Sequence, residues 1–227
     1  MLHELGNLPW INIHTHHKPA GHDEWIIRNA YLGSPKSILP EGYFFSCGIH
    51  PWWAVKESLN IMLNRVEQAL QNTSCIALGE CGLDRLRGPH LSIQKEVFES
   101  QIELALKYQK PLIIHSVRAH QEVIQMLPQS SPAVIIHGFN GGKKLALDFL
   151  SKGCSISIGP RFLRSLHLQN CLPILPLDKL YFETDTESTP IKEVYTAFAN
   201  AANLNLASLR QQIWTNFTRD FTLGYGT

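Results

Sequence analysis

The chain has 227 residues, of which 44% are hydrophobic and 17% are charged. This length and composition suffice for one sizeable core, so we expect one domain that spans residues 1–227. The formal net charge of +1 excludes the strongly basic surface of a protein that grips long duplexes through many phosphates.

The cysteines and the amino terminus indicate a compartment. There are five cysteines, an odd number without CxxC spacing, and the first residues lack a basic segment followed by an apolar stretch. We therefore expect reduced cysteines and a cytoplasmic protein. No apolar run approaches the ~18 residues of a membrane span, and nothing indicates an obligate protein partner.

Short apolar segments predict eight β-strands in chain order. Between several of them, apolar residues at helical spacing predict amphipathic helices, the first after a possible N-cap at Ser58 and another through Phe98, Ile102 and Ala105. Gly153 is placed to end a helix over residues 143–152, and residues 190–203 and 207–219 predict closing helices. The predicted strands lie at about residues 10–15, 25–31, 43–48, 75–79, 111–115, 133–137, 154–159 and 179–184.

Strands that alternate with helices are the α/β pattern, and eight strands are the number that a closed (βα)8 TIM barrel needs. Residues 18–42 are rich in proline and glycine and leave too little chain for a full helix on each side of the second strand. The sequence therefore predicts a compact barrel with a shortened first crossover that is a loop.

Potential metal ligands stand where predicted strands end, and a parallel barrel assembles its active site at the carboxyl ends of its strands. Residues two apart on a strand face the same side, so the rings of His14 and His16 can reach one divalent ion. Glu80 can bridge two cations about 4 Å apart. The six candidates are His14, His16, Glu80, His115, His137 and Asp185.

Taken singly, each candidate has a structural alternative. An isolated HxH pair is more often surface or core than metal site, Glu80 could be a loop residue, and Asp185 could cap the segment that follows it. The ensemble favours a metallohydrolase. Asp185 is the best candidate general base, since a carboxylate there can take a proton from a water whose pKa a metal has lowered to about 7.

These residues carry a resemblance to the TatD family of metal-dependent hydrolases. The matching motifs are HTH (14–16), GIHP (48–51), GECGLD (79–84), PLIIH (111–115), IIHGF (135–139), ETD (183–185) and a closing NxxRxF pattern at Asn216, Arg219 and Phe221. The resemblance implies a barrel with one or two divalent ions, Mg, Mn or Zn, and phosphodiester hydrolysis as a 3′-5′ deoxyribonuclease through a metal-activated water.

The resemblance also implies roles for single residues. His14, His16, Glu80 and Asp185 would hold one metal, and Glu80, His115 and His137 the second. Asp185 and Glu80 would be the catalytic carboxylates, with Asp185 activating water.

The chain departs from the family pattern at identifiable positions. Asn12 replaces the aspartate usual two residues before the first histidine, and ETD is followed by TEST rather than by a small residue and proline. The HxRxA motif has one extra residue, so Arg118 is shifted by one position, which would rotate its side chain by about 100° on a helix. The segment His50-Pro51-Trp52-Trp53 marks a compact branch whose substrate need not be the usual one.

Substrate contacts are sought among basic residues near the predicted strand ends. Each can hold a phosphate or belong to a solvated rim. Trp52 or Trp53 can stack on a base, as aromatics do in single-strand binders, or can seal the barrel rim. The basic residues near strand ends are Arg85, Arg87, Arg118, Lys143, Lys144, Arg161 and Arg164. Of these we expect Arg118, Lys143 and Lys144 to bind substrate, together with His50.

The expected substrate is DNA or another phosphodiester, in short or single-stranded form. Two alternatives stay open. The same ligands can polarise a carbonyl, which would make the protein an amide or ester hydrolase. A non-catalytic binding protein that retains the fold is the other.

Overall fold

The structure, a computed structural model, describes residues 8–31, 42–128 and 132–223. Each of its eight strands pairs in parallel with the next along the chain. The strands are β1 (Trp10–Thr15), β2 (Glu24–Asn29), β3 (Tyr43–Cys47), β4 (Cys75–Asp84), β5 (Leu112–Val117), β6 (Val134–Ile136), β7 (Ser155–Ile158) and β8 (Leu180–Phe182).

The segment after β8 returns to β1 and closes the sheet. The Asp185 N–H donates to the His14 carbonyl at 3.0 Å, and the His16 N–H donates to the Asp185 carbonyl at 3.0 Å. A parallel bridge between Thr15 and Asp185 accompanies these bonds. The predicted (βα)8 barrel is confirmed.

Helices connect most of the strands. The described residues 16–23 form no helix, so the first crossover is short, as predicted; residues 32–41 of the proline- and glycine-rich stretch lie outside the described residues. No helix within the described ranges is long and apolar enough to cross a bilayer. The helices are α1 (Leu59–Leu70), α2 (Leu91–Tyr108), α3 (His120–Met126), α4 (Lys143–Ser151), α5 (Leu166–Gln169), α6 (Ile191–Ala201) and α7 (Leu206–Asp220).

Local signals match these helices with one exception. Gly153 follows α4 with φ 78°, a left-handed conformation that glycine adopts without strain, and its N–H donates to the Leu150 carbonyl at 2.9 Å. Ser58 precedes α1 as predicted, but its side chain makes no capping hydrogen bond. The prediction of Ser58 as a capping side chain is therefore wrong in its chemistry, although its position is right.

The longest strand, β4, exceeds its prediction by five residues, from 79 to Asp84. Beyond the predicted end at residue 79, Gly82 pairs with His115 of β5 and Asp84 pairs with Val117. A Cβ at Gly82 would lie 2.1 Å from the His115 carbonyl oxygen, so glycine is what allows the strands to approach. The extended β4 therefore includes both Glu80 and Asp84.

Aromatic packing fixes the two strands at the closure. Phe182 of β8 lies 4.3 Å from Tyr195 and 5.2 Å from Phe198, measured between ring centroids. The Tyr195 hydroxyl donates to the Ile11 carbonyl of β1 at 2.9 Å. Because α6 contacts both strands through these residues, it holds β1 and β8 in register.

The closing NxxRxF pattern has a structural role. Asn216 is fully buried on α7, and its Nδ2 donates to the carbonyls of Leu177 at 2.7 Å and Leu180 at 3.0 Å. The Arg219 guanidinium donates to the Asp178 carbonyl at 3.0 Å. The motif therefore anchors α7 to the segment that leads into β8.

We expect Asn216→Ala to lower the free energy of unfolding by about 2 kcal/mol, because two carbonyls lose a buried donor and a small void remains. Urea denaturation monitored by circular dichroism measures this. Thr218→Ala, an exposed change on the same helix, is the control and should stay within about 0.5 kcal/mol of wild type. An Asn216→Ala value inside that margin would contradict the anchoring role.

Candidate metal centre

The six predicted ligands meet at the carboxyl end of the barrel. His14, Glu80 and His115 lie within β1, β4 and β5. His16 and His137 directly follow β1 and β6, and Asp185 lies three residues after the end of β8. His115, His137 and Asp185 line a cavity of about 170 Å³. The widest gap between consecutive candidates in the sequence is 64 positions, from His16 to Glu80. The barrel brings all six together.

Glu80 is the hub of this cluster. Its Oε1 lies 2.8 Å from His115 Nδ1 and 2.9 Å from His137 Nε2. Its Oε2 lies 3.5 Å from His14 Nε2 and 4.0 Å from His16 Nε2. The two oxygens of one buried carboxylate thus face different histidines, which is the arrangement of a carboxylate that bridges two cations.

One group of donors consists of His14, His16 and Asp185. Asp185 Oδ1 lies 3.6 Å from His14 Nε2 and 3.4 Å from His16 Nε2. Two ligands that are each ~2.1 Å from a metal at a tetrahedral angle lie about 3.4 Å apart. Within the described part of the chain, neither ring nitrogen of fully buried His14 has a hydrogen-bond partner. A cation held by these donors would satisfy Nε2 of His14, which faces Asp185 and Glu80, so the residues fit a metal.

Glu80 belongs to two further clusters of donors within 4.8 Å of one another, one with His14 and His137 and one with His50 and His115. The imidazoles of His115 and His137 each lie between two carboxylates. His115 Nε2 lies 3.0 Å from Asp84 Oδ2, and His137 Nδ1 lies 3.5 Å from Glu183 Oε1. Outer carboxylates of this kind orient histidine ligands and leave the opposite nitrogen for the metal. The nitrogens left over are those that face Glu80.

Asp84 and Glu183 are functional candidates that the sequence analysis missed, although both stand inside quoted motifs. Glu183 accepts the Gly138 N–H at 2.7 Å, which fixes the backbone beside His137. Asp84 accepts the backbone N–H groups of Leu86 and Arg87 at 2.7 and 3.1 Å. A carboxylate at a strand end, as Asp84 is once β4 is extended, was the available signal.

Two carboxylates of the centre, Glu80 and Asp185, have depressed pKa values. Burial would raise the pKa of Glu80, but the charge of His137 and hydrogen bonds from neighbouring histidines hold that pKa well below its ordinary value. Burial would also raise the pKa of Asp185, but the adjacent His14 and His16 outweigh this effect and depress that pKa. Burial lowers and the nearby carboxylates raise the pKa of His137, with a net shift well above its usual range.

The charge balance of the centre depends on histidine or a cation. The centre contains four carboxylates, those of Glu80, Asp84, Glu183 and Asp185. Across the described ranges, their ion-pair partners are all histidines. No lysine or arginine of those ranges pairs with them. Carboxylates without a permanently charged partner are the ligands that divalent cations take.

His50 lies inside the centre rather than at its rim. It is buried, its Nδ1 accepts the Trp52 N–H at 3.1 Å, and its Nε2 lies 3.0 Å from Glu80 Oε1. Because Nδ1 accepts a hydrogen bond, the proton of the neutral ring is on Nε2 and points at Glu80. Asn29, which the sequence analysis also missed, donates to the other oxygen of Glu80 at 3.0 Å.

The predicted basic contacts lie to one side of the centre. Arg118 directly follows β5 with φ 50° and is not on a helix, so the helical rotation considered for its shifted position does not apply. Arg118 lines an open depression of about 570 Å³ together with Lys144 and Arg85. Lys143 and Lys144 are exposed and begin α4. Arg161 lines the 170 Å³ cavity itself.

Asn12, the departure from the family pattern, faces the closure of the barrel. Its Nδ2 donates to Thr184 Oγ1 at 3.0 Å and to Glu24 Oε1 at 2.9 Å, and its Oδ1 accepts the Thr184 N–H at 3.1 Å. This pair joins β1 to the residue before Asp185. The asparagine thus positions the two segments that carry His14 and Asp185.

Known proteins are similar to this chain. An "uncharacterized metal-dependent hydrolase" of Haemophilus influenzae is 31% identical over 166 residues, which cover 68% of this chain and 63% of that protein. A "3′-5′ ssDNA/RNA exonuclease TatD" of Edwardsiella piscicida is 33% identical over 181 residues, 74% of this chain and 69% of that protein. The match thus spans less than two thirds of the length of the Haemophilus relative.

The fold has a counterpart among crystal structures. YjjV of Escherichia coli K12, described as a TatD homologue, superposes with a TM-score of 0.77 over 96% of this chain and 99% of that one. At 21% identity, this similarity shows the fold alone. A family model described as TatD related DNase matches residues 36–222. The chain therefore belongs to the TatD related DNase family.

Proposed function

We propose that this protein is a divalent-metal-dependent phosphodiesterase that removes nucleotides from the 3′ ends of single-stranded DNA. The observation that carries the proposal is the buried Glu80 carboxylate, whose two oxygens face separate histidine groups. His14, His16, Glu80 and Asp185 would hold one ion. Glu80, His115 and His137 would hold the second.

Divalent cations in such a site lower the pKa of a water molecule and stabilise negative charge on phosphoryl oxygens. The protein must then supply a base at the accessible side of the centre. The Asp185 side chain is 39% exposed, whereas those of Glu80, Asp84 and Glu183 are 6%, 3% and 1% exposed. Asp185 is thus the carboxylate that can take a proton from an attacking water, and we assign it as the general base.

The shape and the relatives support a strand end as substrate. A cavity of about 170 Å³ suits one phosphodiester group at the end of a chain rather than the body of a duplex. The Edwardsiella relative is named a 3′-5′ exonuclease of single-stranded DNA and RNA, and the Haemophilus relative a metal-dependent hydrolase. We also propose a cytoplasmic location, which the five free, buried cysteines support.

The function is tested with purified protein, added Mg²⁺, Mn²⁺ or Zn²⁺, and short 5′-labelled DNA. We expect single-stranded DNA to shorten from its 3′ end, EDTA to stop the reaction, and blunt duplex to be cleaved much more slowly. Failure to release nucleotides from any strand, by protein with measured bound metal, would overturn the proposal. Hydrolysis of amides or carboxylic esters by that same protein would then favour the amidohydrolase alternative.

We expect Lys143→Ala combined with Lys144→Ala to raise KM for single-stranded DNA by about two- to tenfold with kcat nearly unchanged. These exposed cations would hold substrate equally in the ground and transition states. The salt dependence of kcat/KM should become shallower by roughly two phosphate contacts. Steady-state kinetics at several salt concentrations measures both effects.

Lys152→Ala is the matched control, because Lys152 is exposed at the opposite end of the same helix. It should leave KM and the salt slope as in wild type. If the Lys143, Lys144 double variant also left both unchanged, these residues would not contact phosphates.

A further inference from the structure

Two exposed aromatic rings, Tyr31 and Trp53, lie against each other beside the metal centre. Their ring centroids are 5.8 Å apart and their planes differ by only 19°, which is an offset stack. Tyr31 is 44% exposed and Trp53 is 50% exposed. We call this pair the aromatic shelf. A residue that merely sealed the barrel rim would bury more of its ring.

The aromatic shelf adjoins the predicted ligands directly. The Tyr31 hydroxyl lies 3.0 Å from His16 Nδ1, and the two rings are 5.4 Å apart between centroids. On the other side, Trp53 lies 6.3 Å from the ring of His50, which contacts Glu80. The ring of Tyr31 lies 5.4 Å from that of His16, and the ring of Trp53 lies 5.8 Å from that of Tyr31. A group that stacks on the aromatic shelf is therefore close to the donors that would hold the metal.

The neighbouring Trp52 is engaged differently. Its Nε1 donates to Asp84 Oδ2 at 2.6 Å, and the Arg87 guanidinium lies 4.7 Å from its ring centroid. Both the polar edge and a face of Trp52 are therefore occupied by protein groups. Trp53, by contrast, contacts the shelf partner on one side and keeps half of its surface open.

We propose that the aromatic shelf is a nucleobase subsite, on which an unpaired base at the strand end stacks while its phosphodiester enters the metal centre. This inference rests on the proposed function. Every base offers a π-face, so an aromatic platform binds single strands with little sequence preference. A base within a duplex has both faces covered by its neighbours, so the shelf selects unpaired ends.

The test compares oligonucleotides that lack one base at the terminal, the penultimate or a distant position. For wild type, we expect loss of one of the two end bases to raise KM about tenfold, and loss of the distant base to change KM less than twofold. Trp53→Ala should raise KM for the intact strand about tenfold and should no longer distinguish intact from end-abasic DNA. Trp53→Phe, which keeps a ring, should restore most of the discrimination.

Ile61→Ala is the control, because Ile61 is an apolar side chain, 60% exposed, on α1. It should behave as wild type on every oligonucleotide. Active wild-type enzyme that treats intact and end-abasic strands alike would overturn the base subsite while leaving the proposed function standing.

Equilibrium binding separates the two hypotheses if turnover is absent. The probe is a single strand with fluorescent 2-aminopurine at its end, whose emission falls when the base stacks on an aromatic ring. We expect quenching with wild type and Trp53→Phe and about tenfold weaker binding with Trp53→Ala. Quenching without hydrolysis would reject the nuclease but keep the subsite, and equal binding by wild type and Trp53→Ala would reject the subsite.

Discussion

Asp185→Asn is expected to reduce kcat on single-stranded DNA by about 1000-fold, or ~4 kcal/mol in the barrier, because the amide can neither take a proton nor supply a ligand charge. The backbone should be preserved. Asp185 has φ 51°, a left-handed conformation that asparagine tolerates at least as well as aspartate. Its backbone bonds to His14 and His16, which close the barrel, do not involve the side chain.

Single-turnover kinetics and thermal denaturation together test this expectation, since the second shows that the fold survives. Glu187→Gln is the control: Glu187 lines the same cavity, but its carboxylate is bound by Arg164 at 2.9 Å. It should keep kcat within about threefold of wild type. If Asp185→Asn retained more than about a tenth of kcat, a loss below ~1.4 kcal/mol, another group would be the base.

The sequence predicted the barrel and the convergence of its polar strand ends. The apolar runs before His14, His115 and His137 are buried strands, and in a parallel barrel their carboxyl ends must meet. Strand number and order follow from alternating apolar and amphipathic segments. Convergence is therefore a consequence of topology and needs no knowledge of side-chain contacts.

Features that depend on register across distant strands could not be predicted. The pairing of Asn12 with Thr184 joins residues 172 positions apart, and it exists only because the segment after β8 closes against β1 at one particular offset. The end of β4 is similar. Residues 81–84, beyond its predicted end, pair with β5, and β5 approaches too closely there for a Cβ at Gly82.

Ring orientation is a further quantity that the sequence does not contain. His50 belongs to a motif, but its contact with Glu80 follows from the Trp52 N–H that it caps. The stacking of Tyr31 on Trp53 likewise depends on how two loops leave β2 and β3. Both contacts affect substrate binding. Substrate binding was therefore the property that the sequence predicted least.

Glu80→Gln is expected to cost the protein metal at both groups of donors at once, since each group would share this carboxylate. An amide offers one neutral oxygen in place of two charged ones, and its NH2 would face histidine nitrogens. We expect the metal content after dialysis, measured by mass spectrometry, to fall to near zero. The kcat should fall by at least about 1000-fold, or ~4 kcal/mol.

Glu183→Gln is the matched control, because it changes a buried carboxylate of the same centre whose polar partners among the described residues are His137 and the Gly138 N–H. An outer partner of this kind should lower metal affinity by about 10- to 100-fold without removing a site. The two variants thus separate a shared ligand from a residue that orients one ligand. Wild-type metal content in Glu80→Gln would show that Glu80 bridges nothing, and equal losses in both variants would show only that the centre tolerates no uncharged replacement.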